Sequence, residues 1–123
     1  MTHARALRVL VADDDPLQLR VAARLLRSLG HHGALANRGA VALDLLGRQA
    51  FDLLLLDLRM PGMDGVETLQ QLRPAHPALP VILVSGDDLG PDWAYYRRMG
   101  ADAYLVKPLD VDALSALLQR PLR

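Results

Sequence analysis

Cysteine is absent from this 123-residue chain, which excludes disulfides and fits a reducing compartment. Lysine is nearly absent: of fourteen Lys and Arg residues, Lys107 alone is lysine. Aromatic residues make up 4% of the chain, so aliphatic side chains must supply most of the burial. Charge of one sign does not dominate. The formal net charge is +0 and no run of like charges forms a basic arm, which argues against a nucleic-acid-binding surface. No apolar run approaches membrane-spanning length, and Met1–Arg8 lacks the apolar core of a signal peptide. A cytoplasmic protein with no membrane contact is expected. Repeats, low-complexity segments and internal linkers are also missing. The length suits one domain over 1–123, with its core at about 8–119.

What is present is a set of short aliphatic runs, each ending in a reactive residue type. Leu7–Ala12 runs into Asp13, Asp14 and Asp15. Leu53–Leu56 runs into Asp57, Val81–Val84 into Ser85, and Tyr104–Val106 into Lys107 and Pro108. Such runs, separated by longer amphipathic stretches, read as strands of a parallel sheet. Ligands of open parallel sheets bind beyond the carboxyl ends of the strands. Acids, a hydroxyl and an amine therefore converge on one edge. The near-total use of Arg for cations makes the single Lys informative. It suggests a position that needs a compact ammonium rather than a planar guanidinium fork.

The elements alternate regularly. After the strand Leu7–Ala12, Asp15 caps a helix with Pro16 at its first position, and Leu17, Val21, Leu25 and Leu29 recur at helical spacing before Gly30. Gly33–Ala36 is a weak second strand and Val41–Arg48 a second helix. Asp52–Leu56 is an aliphatic strand of the kind covered on both faces. Arg59–Gly62 forms a Pro-Gly loop, with Met60–Gly65 read as structural. Asp64 and Glu67 have capping-box spacing for a helix through about Leu72. Pro80–Val84 is the fourth strand, and Pro91 opens a helix ending at Gly100. Ala103–Val106 is the fifth strand, and Asp110 caps a last helix, Val111–Gln119. Strand–helix alternation of this kind predicts a three-layer α/β sandwich with a five-stranded parallel sheet in the flavodoxin-like order 2-1-3-4-5. That order sets Asp13 and Asp14 beside Asp57.

Crowded carboxylates raise one another's pKa unless a cation neutralises them. Mg²⁺ suits such a site, being a hard ion held by one or two carboxylates, water and phosphate oxygens. Asp57, on a separate strand, can act as a nucleophile on phosphorus. The ion and Lys107 would neutralise the phosphoryl oxygens, and Ser85 would offer one of them a hydroxyl. Taken singly, an Asp at a strand end is more often a turn former or cap, and Asp15 is read that way. Four such residues at one sheet edge carry the joint reading.

At these positions the chain resembles the receiver (phosphoacceptor) domain of two-component response regulators. The likeness rests on VLVADDDP, LLLLDLRMPGMDG, PVILVSG and GADAYLVKP, and runs from about Arg8 to Gln119. The resemblance implies that Asp13 and Asp14 bind Mg²⁺, that Asp57 is the phosphoacceptor, and that Arg59 lends the ion its backbone carbonyl. It likewise implies that Ser85 is the switch hydroxyl, Lys107 the essential lysine, and Tyr104 the aromatic that turns inward on activation. A histidine kinase or phosphotransfer protein would donate the phosphoryl group. The surface from Pro91 to Gln119 would then change and meet a downstream protein or effector domain, with dimerisation possible. Such a chain is a signalling domain rather than a metabolic enzyme. It is expected either as a stand-alone regulator or as the receiver of a longer regulator or hybrid kinase.

Some features are this chain's own. Arg59 and Asp87 sit two residues beyond the acceptor and the switch serine, where opposite charges can pair across the rim and slow loss of the phosphoryl group. Trp93 and Arg97 lie four apart on one helix face. With Tyr96 they are expected to form an exposed partner face, while Ala94 and Met99, with a tyrosine, face the sheet. His31 and His32 are expected to be solvated loop residues. Two other functions compete. One is a small Asp-nucleophile, Mg²⁺-dependent phosphatase of the haloacid dehalogenase type, with Asp13 and Asp15 as its D-x-D pair. The other is a phosphorylation-independent interaction module, which would require a damaged acceptor site.

Overall fold

The structure is a computed structural model that describes residues 5–123. Residues 1–4, which belong to the stretch Met1–Arg8 and to the span 1–123, lie outside the described residues. The strands are β1 (Arg8–Ala12), β2 (His32–Ala36), β3 (Leu53–Asp57), β4 (Val81–Ser85) and β5 (Ala103–Val106). The helices are α1 (Pro16–Ser28), α2 (Gly39–Arg48), α3 (Gly65–Leu72), α4 (Trp93–Arg98) and α5 (Val111–Leu118). All pairings are parallel, in the order β2-β1-β3-β4-β5. No helix among the described residues is long and apolar enough to cross a membrane.

Strand alternation divides the core in two. Leu10, Ala12, Leu54, Leu56, Val81 and Leu83 pack with Ala42, Leu46, Leu69 and Leu72 from α2 and α3. Val9, Val11, Leu55, Ile82, Val84 and Leu105 pack with Leu19, Ala22, Leu26 and Leu114 from α1 and α5. Both faces of the sheet are covered, which is why β3 and β4 are buried along their whole length. The caps form as their spacing predicts. Asp15 accepts from the Leu17 N–H, Asp110 from the Ala113 N–H, and Asp64 and Glu67 make a reciprocal capping box.

The sheet decides which face of α1 is buried, and two expectations need correction. The stripe Leu17, Val21, Leu25, Leu29 is not the buried face of α1. Leu17 is 55% and Val21 36% exposed, and Leu19, Ala22 and Leu26 are buried instead. A strict four-residue repeat advances about 40° per step around a helix of 3.6 residues per turn, so it winds from solvent toward the sheet. The fourth helix is also shorter than read. Gly90–Asp92 forms a 3₁₀ turn, and α4 spans only the 6 residues Trp93–Arg98. Pro91 cannot donate a backbone bond, Asp92 gives no side-chain cap, and Gly100 ends the element at φ +112°. Finally, His32 opens β2 rather than lying in a loop, and His31 is half-buried, its Nδ1 accepting from the Leu7 N–H at 3.0 Å.

One glycine fixes how α3 meets β3. A Cβ on Gly65 would lie 2.6 Å from the Asp57 carbonyl oxygen and 2.8 Å from Leu58 Cα. Those are backbone atoms of the strand end that presents Asp57, and they cannot yield without moving it. Gly65→Ala is therefore expected to destabilise the domain by about 2–4 kcal/mol, seen as a lower urea midpoint. Gly47→Ala is the control: a Cβ there meets nothing within 4 Å, and its midpoint should hold or rise. Equal midpoints for the two variants would contradict the close approach.

Candidate functional site

Four strand ends deliver the site. The Asp13 N–H bonds the Ala36 carbonyl and the Leu58 N–H bonds the Val84 carbonyl, each at 3.0 Å. The Lys107 N–H bonds the Ser85 carbonyl at 2.7 Å, so the segment after β5 is held against the end of β4. The peptide that follows, Lys107–Pro108, is cis. With the strand ends aligned, carboxylate oxygens of Asp13, Asp14 and Asp57 come within 4.8 Å of one another. Asp13 and Asp57 are buried and Asp14 is exposed.

Lys107 reaches into this group. Its Nζ stands 3.1 Å from Asp13 Oδ2 and 3.4 Å from Asp57 Oδ1. Burial works against the ammonium, but hydrogen bonding to Asp13 and the charge of Asp57 outweigh it and hold Lys107 above its ordinary range. Asp57 goes the other way. Burial first, and the Asp13 charge second, push its carboxyl up to about 6, against the opposing pull of Lys107 and of the Arg59 N–H. That N–H donates to Asp57 Oδ1 at 3.3 Å. A buried, partly neutralised pair of acids beside an exposed third is a donor set that fits a hard divalent cation, because a second positive charge would relieve the repulsion that Lys107 only partly offsets.

The remaining predicted residues ring this centre. Ser85 is buried, and its Oγ accepts from the Asp87 N–H at 3.0 Å. Arg59 Nη2 donates to Asp87 Oδ2 at 3.2 Å, so the rim pair forms, with both side chains exposed. Tyr104 is half-buried and its hydroxyl donates to Asp88 Oδ1 at 2.8 Å. Asp15 is occupied as the cap of α1, which leaves the D-x-D pairing with Asp13 without its second acid. The partner face departs from expectation. Trp93 and Tyr96 are half-buried and pack with Met99 against the core, whereas Ala94 is exposed. In so short a helix the large rings take the sheet side, and the exposed residues are Ala94, Tyr95, Arg97 and Arg98. Sequence reasoning missed Asp88, which lies sixteen positions before Tyr104.

The response regulator receiver domain family model matches residues 9–119. The chain belongs to that family. It is 40% identical over 122 residues to the transcriptional regulatory protein ZraR of Escherichia coli K12, covering 99% of this chain and 27% of that protein. The chain thus spans about a quarter of the length of such curated relatives. Among solved structures, the chemotaxis protein CheY4 of Vibrio cholerae superposes with a TM-score of 0.87 at 27% identity, covering 95% of this chain and 98% of that one. The receiver domain of the sensor histidine kinase PA1611 from Pseudomonas aeruginosa, solved with magnesium in its active-site cleft, gives 0.85 at 29% identity and covers 95% and 98%. This receiver domain is accordingly a two-component signalling domain rather than a conventional enzyme.

The raised pKa of Asp57 has a stability consequence. An acid whose pKa rises from 3.8 to about 6 on folding favours the folded state most below 3.8, and loses that stability as pH climbs through 6. In Mg²⁺-free buffer at pH 7.5, Asp57→Asn is therefore expected to be more stable than wild type by on the order of 2 kcal/mol. The gain should shrink as pH falls toward 4, as read by urea unfolding at both pH values. A pH-independent difference would contradict the burial argument.

Proposed function

We propose that this receiver domain, one unit over 1–123 with its core at about 8–119, accepts a phosphoryl group on Asp57 from the phosphohistidine of a histidine kinase or phosphotransfer protein. The observation that carries the reading is the buried Asp57 carboxylate, faced by a cation and flanked by a second buried acid. A carboxylate oxygen attacks phosphorus as the P–N bond of the donor breaks, and the departing imidazole keeps that bond's electron pair. Mg²⁺, held by Asp13, Asp14, Asp57 and the Arg59 backbone carbonyl, would supply positive charge opposite the phosphoryl oxygens. Lys107 and Ser85 give those oxygens an ammonium and a hydroxyl. Exposed Leu17 and Val21, on the turns of α1 that follow the acidic triplet, favour contact with the donor protein.

Phosphorylation adds about −1.5 to −2 charges and three strong acceptors. Ser85 moves toward them, Tyr104 turns into the space it leaves, and the surface over residues 91–119 changes. This is a shift between two populations biased by a local charge event. Tyr95, Arg97 and Val106, all exposed, supply the contacts for a downstream protein or effector domain, or for a second copy. Direct nucleic-acid contact is not part of this reading, because the formal charge is balanced. Cytoplasmic placement accompanies it. The exposed Arg59–Asp87 pair slows hydrolysis by obstructing water at the rim.

Intact mass after incubation with acetyl phosphate tests the acceptor. One added phosphoryl group is expected, requiring Mg²⁺ and absent from Asp57→Asn; addition to that variant would move the acceptor elsewhere. The rim is tested by phosphoryl half-life. Arg59→Ala should shorten it a few-fold, on the scale of an exposed pair worth under about 1 kcal/mol, and an equal half-life would remove the rim pair's role.

A further inference from the structure

We propose that Asp88 is a positioning residue that latches Tyr104, and through it Ser85, in the resting arrangement. The loop after β4 holds both switch residues at once. The Asp87 N–H donates to Ser85 Oγ at 3.0 Å, and the next residue, Asp88, accepts the Tyr104 hydroxyl at 2.8 Å. Asp88 Oδ1 also accepts from the Gly90 N–H at 2.9 Å, a local turn that fixes where the carboxylate points. Trp93 lies against the other side of the latch, its ring centroid 5.1 Å from that of Tyr104 at an interplanar angle of 48°. Tyr104 is thus pinned at its hydroxyl and covered on its ring. Two neighbouring acids, Asp87 and Asp88, tie the rim, the switch hydroxyl and the aromatic to one loop.

The inference rests on the phosphoacceptor reading, because it concerns the switch that reading describes. For Tyr104 to occupy the space left by Ser85, the bond to Asp88 must break. A latch of this kind lowers the population of the activated arrangement, and a ligand selective for that arrangement then binds more weakly in proportion. Removing the latch raises the population and the apparent affinity together. The bond is charge-assisted but solvent-exposed, so a change of about three- to tenfold is expected.

Trp93 is the sole tryptophan, so intrinsic emission reports on the surroundings of Tyr104. The experiment titrates beryllofluoride, a phosphoryl mimic, in excess Mg²⁺ into wild type, Asp88→Ala, Asp88→Asn, Tyr104→Phe and the double variant Asp88→Ala/Tyr104→Phe. Asp88→Ala should start part-way toward the saturated wild-type emission and reach half-saturation at about three- to tenfold lower beryllofluoride. Asp88→Asn, which keeps a neutral acceptor for both Tyr104 and Gly90, should shift less than Asp88→Ala. Tyr104→Phe should match Asp88→Ala, and the double variant should shift no further. Wild-type behaviour of Asp88→Ala overturns the latch, and so does an added shift in the double variant, which would place the effect in the Gly90 turn. If wild type itself fails to bind beryllofluoride, the phosphoacceptor reading falls and the latch with it. Wild-type binding with an unchanged Asp88→Ala removes the latch alone.

Discussion

Asp13 and Asp57 stand at the ends of neighbouring aliphatic strands, both buried and both facing the ammonium of Lys107. Two buried carboxylates with one cation leave the group short of positive charge, and burial makes that shortage expensive. The site depends on this imbalance. It keeps Asp57 from ionising as an ordinary surface acid would. It makes the group a fitting acceptor of further positive charge, such as a divalent ion. It also accounts for lysine here in a chain otherwise furnished with arginine, since a compact ammonium can address two carboxylates from one point. The rest of the fold holds the acids close enough for the imbalance to persist. Aliphatic strands paired in fixed register do that work, together with a glycine that lets α3 sit against the Asp57 backbone.

Much of this was legible in the sequence because it is local. A strand is a short aliphatic run, and the residue that ends it is the one that reaches the sheet edge. Caps are read from an Asp and the residues two or three beyond it, as at Asp15, Asp64 and Asp110. The acids, Ser85 and Lys107 were legible for the same reason, and the sheet order brought them together. The buried face of α1 was not, because two apolar stripes compete on that helix and only the sheet decides between them. Trp93 and Tyr96 were misread as an exposed face because burial of a ring in a helix of 6 residues depends on the strand beneath it, not on spacing. Contacts across long separations left no local trace. Tyr104 with Asp88 is one, and Arg73 with Asp102, 29 residues apart, is another.

That second contact shows how the two ends of the sheet differ. At the end away from the site, Arg73 is largely buried and donates to the carbonyls of Gly100, His76 and Leu79 as well as to Asp102. Asp102 also accepts from the Val81 N–H at 2.9 Å and from Arg123. Asp102, largely shielded from solvent, thus ties Arg73, Val81 and Arg123 to the start of β5, and ionic contacts so shielded are costly to break. At the site end the loop after β4 is seated by buried Leu89, and its side-chain polar contacts are exposed: Arg59 with Asp87, and Tyr104 with Asp88. Exposed pairs of this kind contribute little and yield readily.

The charge change proposed at Asp57 would meet a structure anchored through Asp102 at the far end of the sheet and tied by exposed polar contacts at the near end. The start of β5 is fixed through Asp102, and α4 ends on the Gly100 carbonyl that Arg73 and Arg123 hold. The opposite end of α4 follows a 3₁₀ turn whose Gly90 N–H donates to Asp88, in the loop that carries Asp87 and Asp88. In the proposed switch, movement of that loop would reach the first turn of α4 and the Trp93–Tyr104 contact, while buried Leu89 keeps the loop seated on the core. The anchor at Asp102 would confine the proposed rearrangement to α4 and β5, the surface that carries exposed Tyr95, Arg97 and Val106.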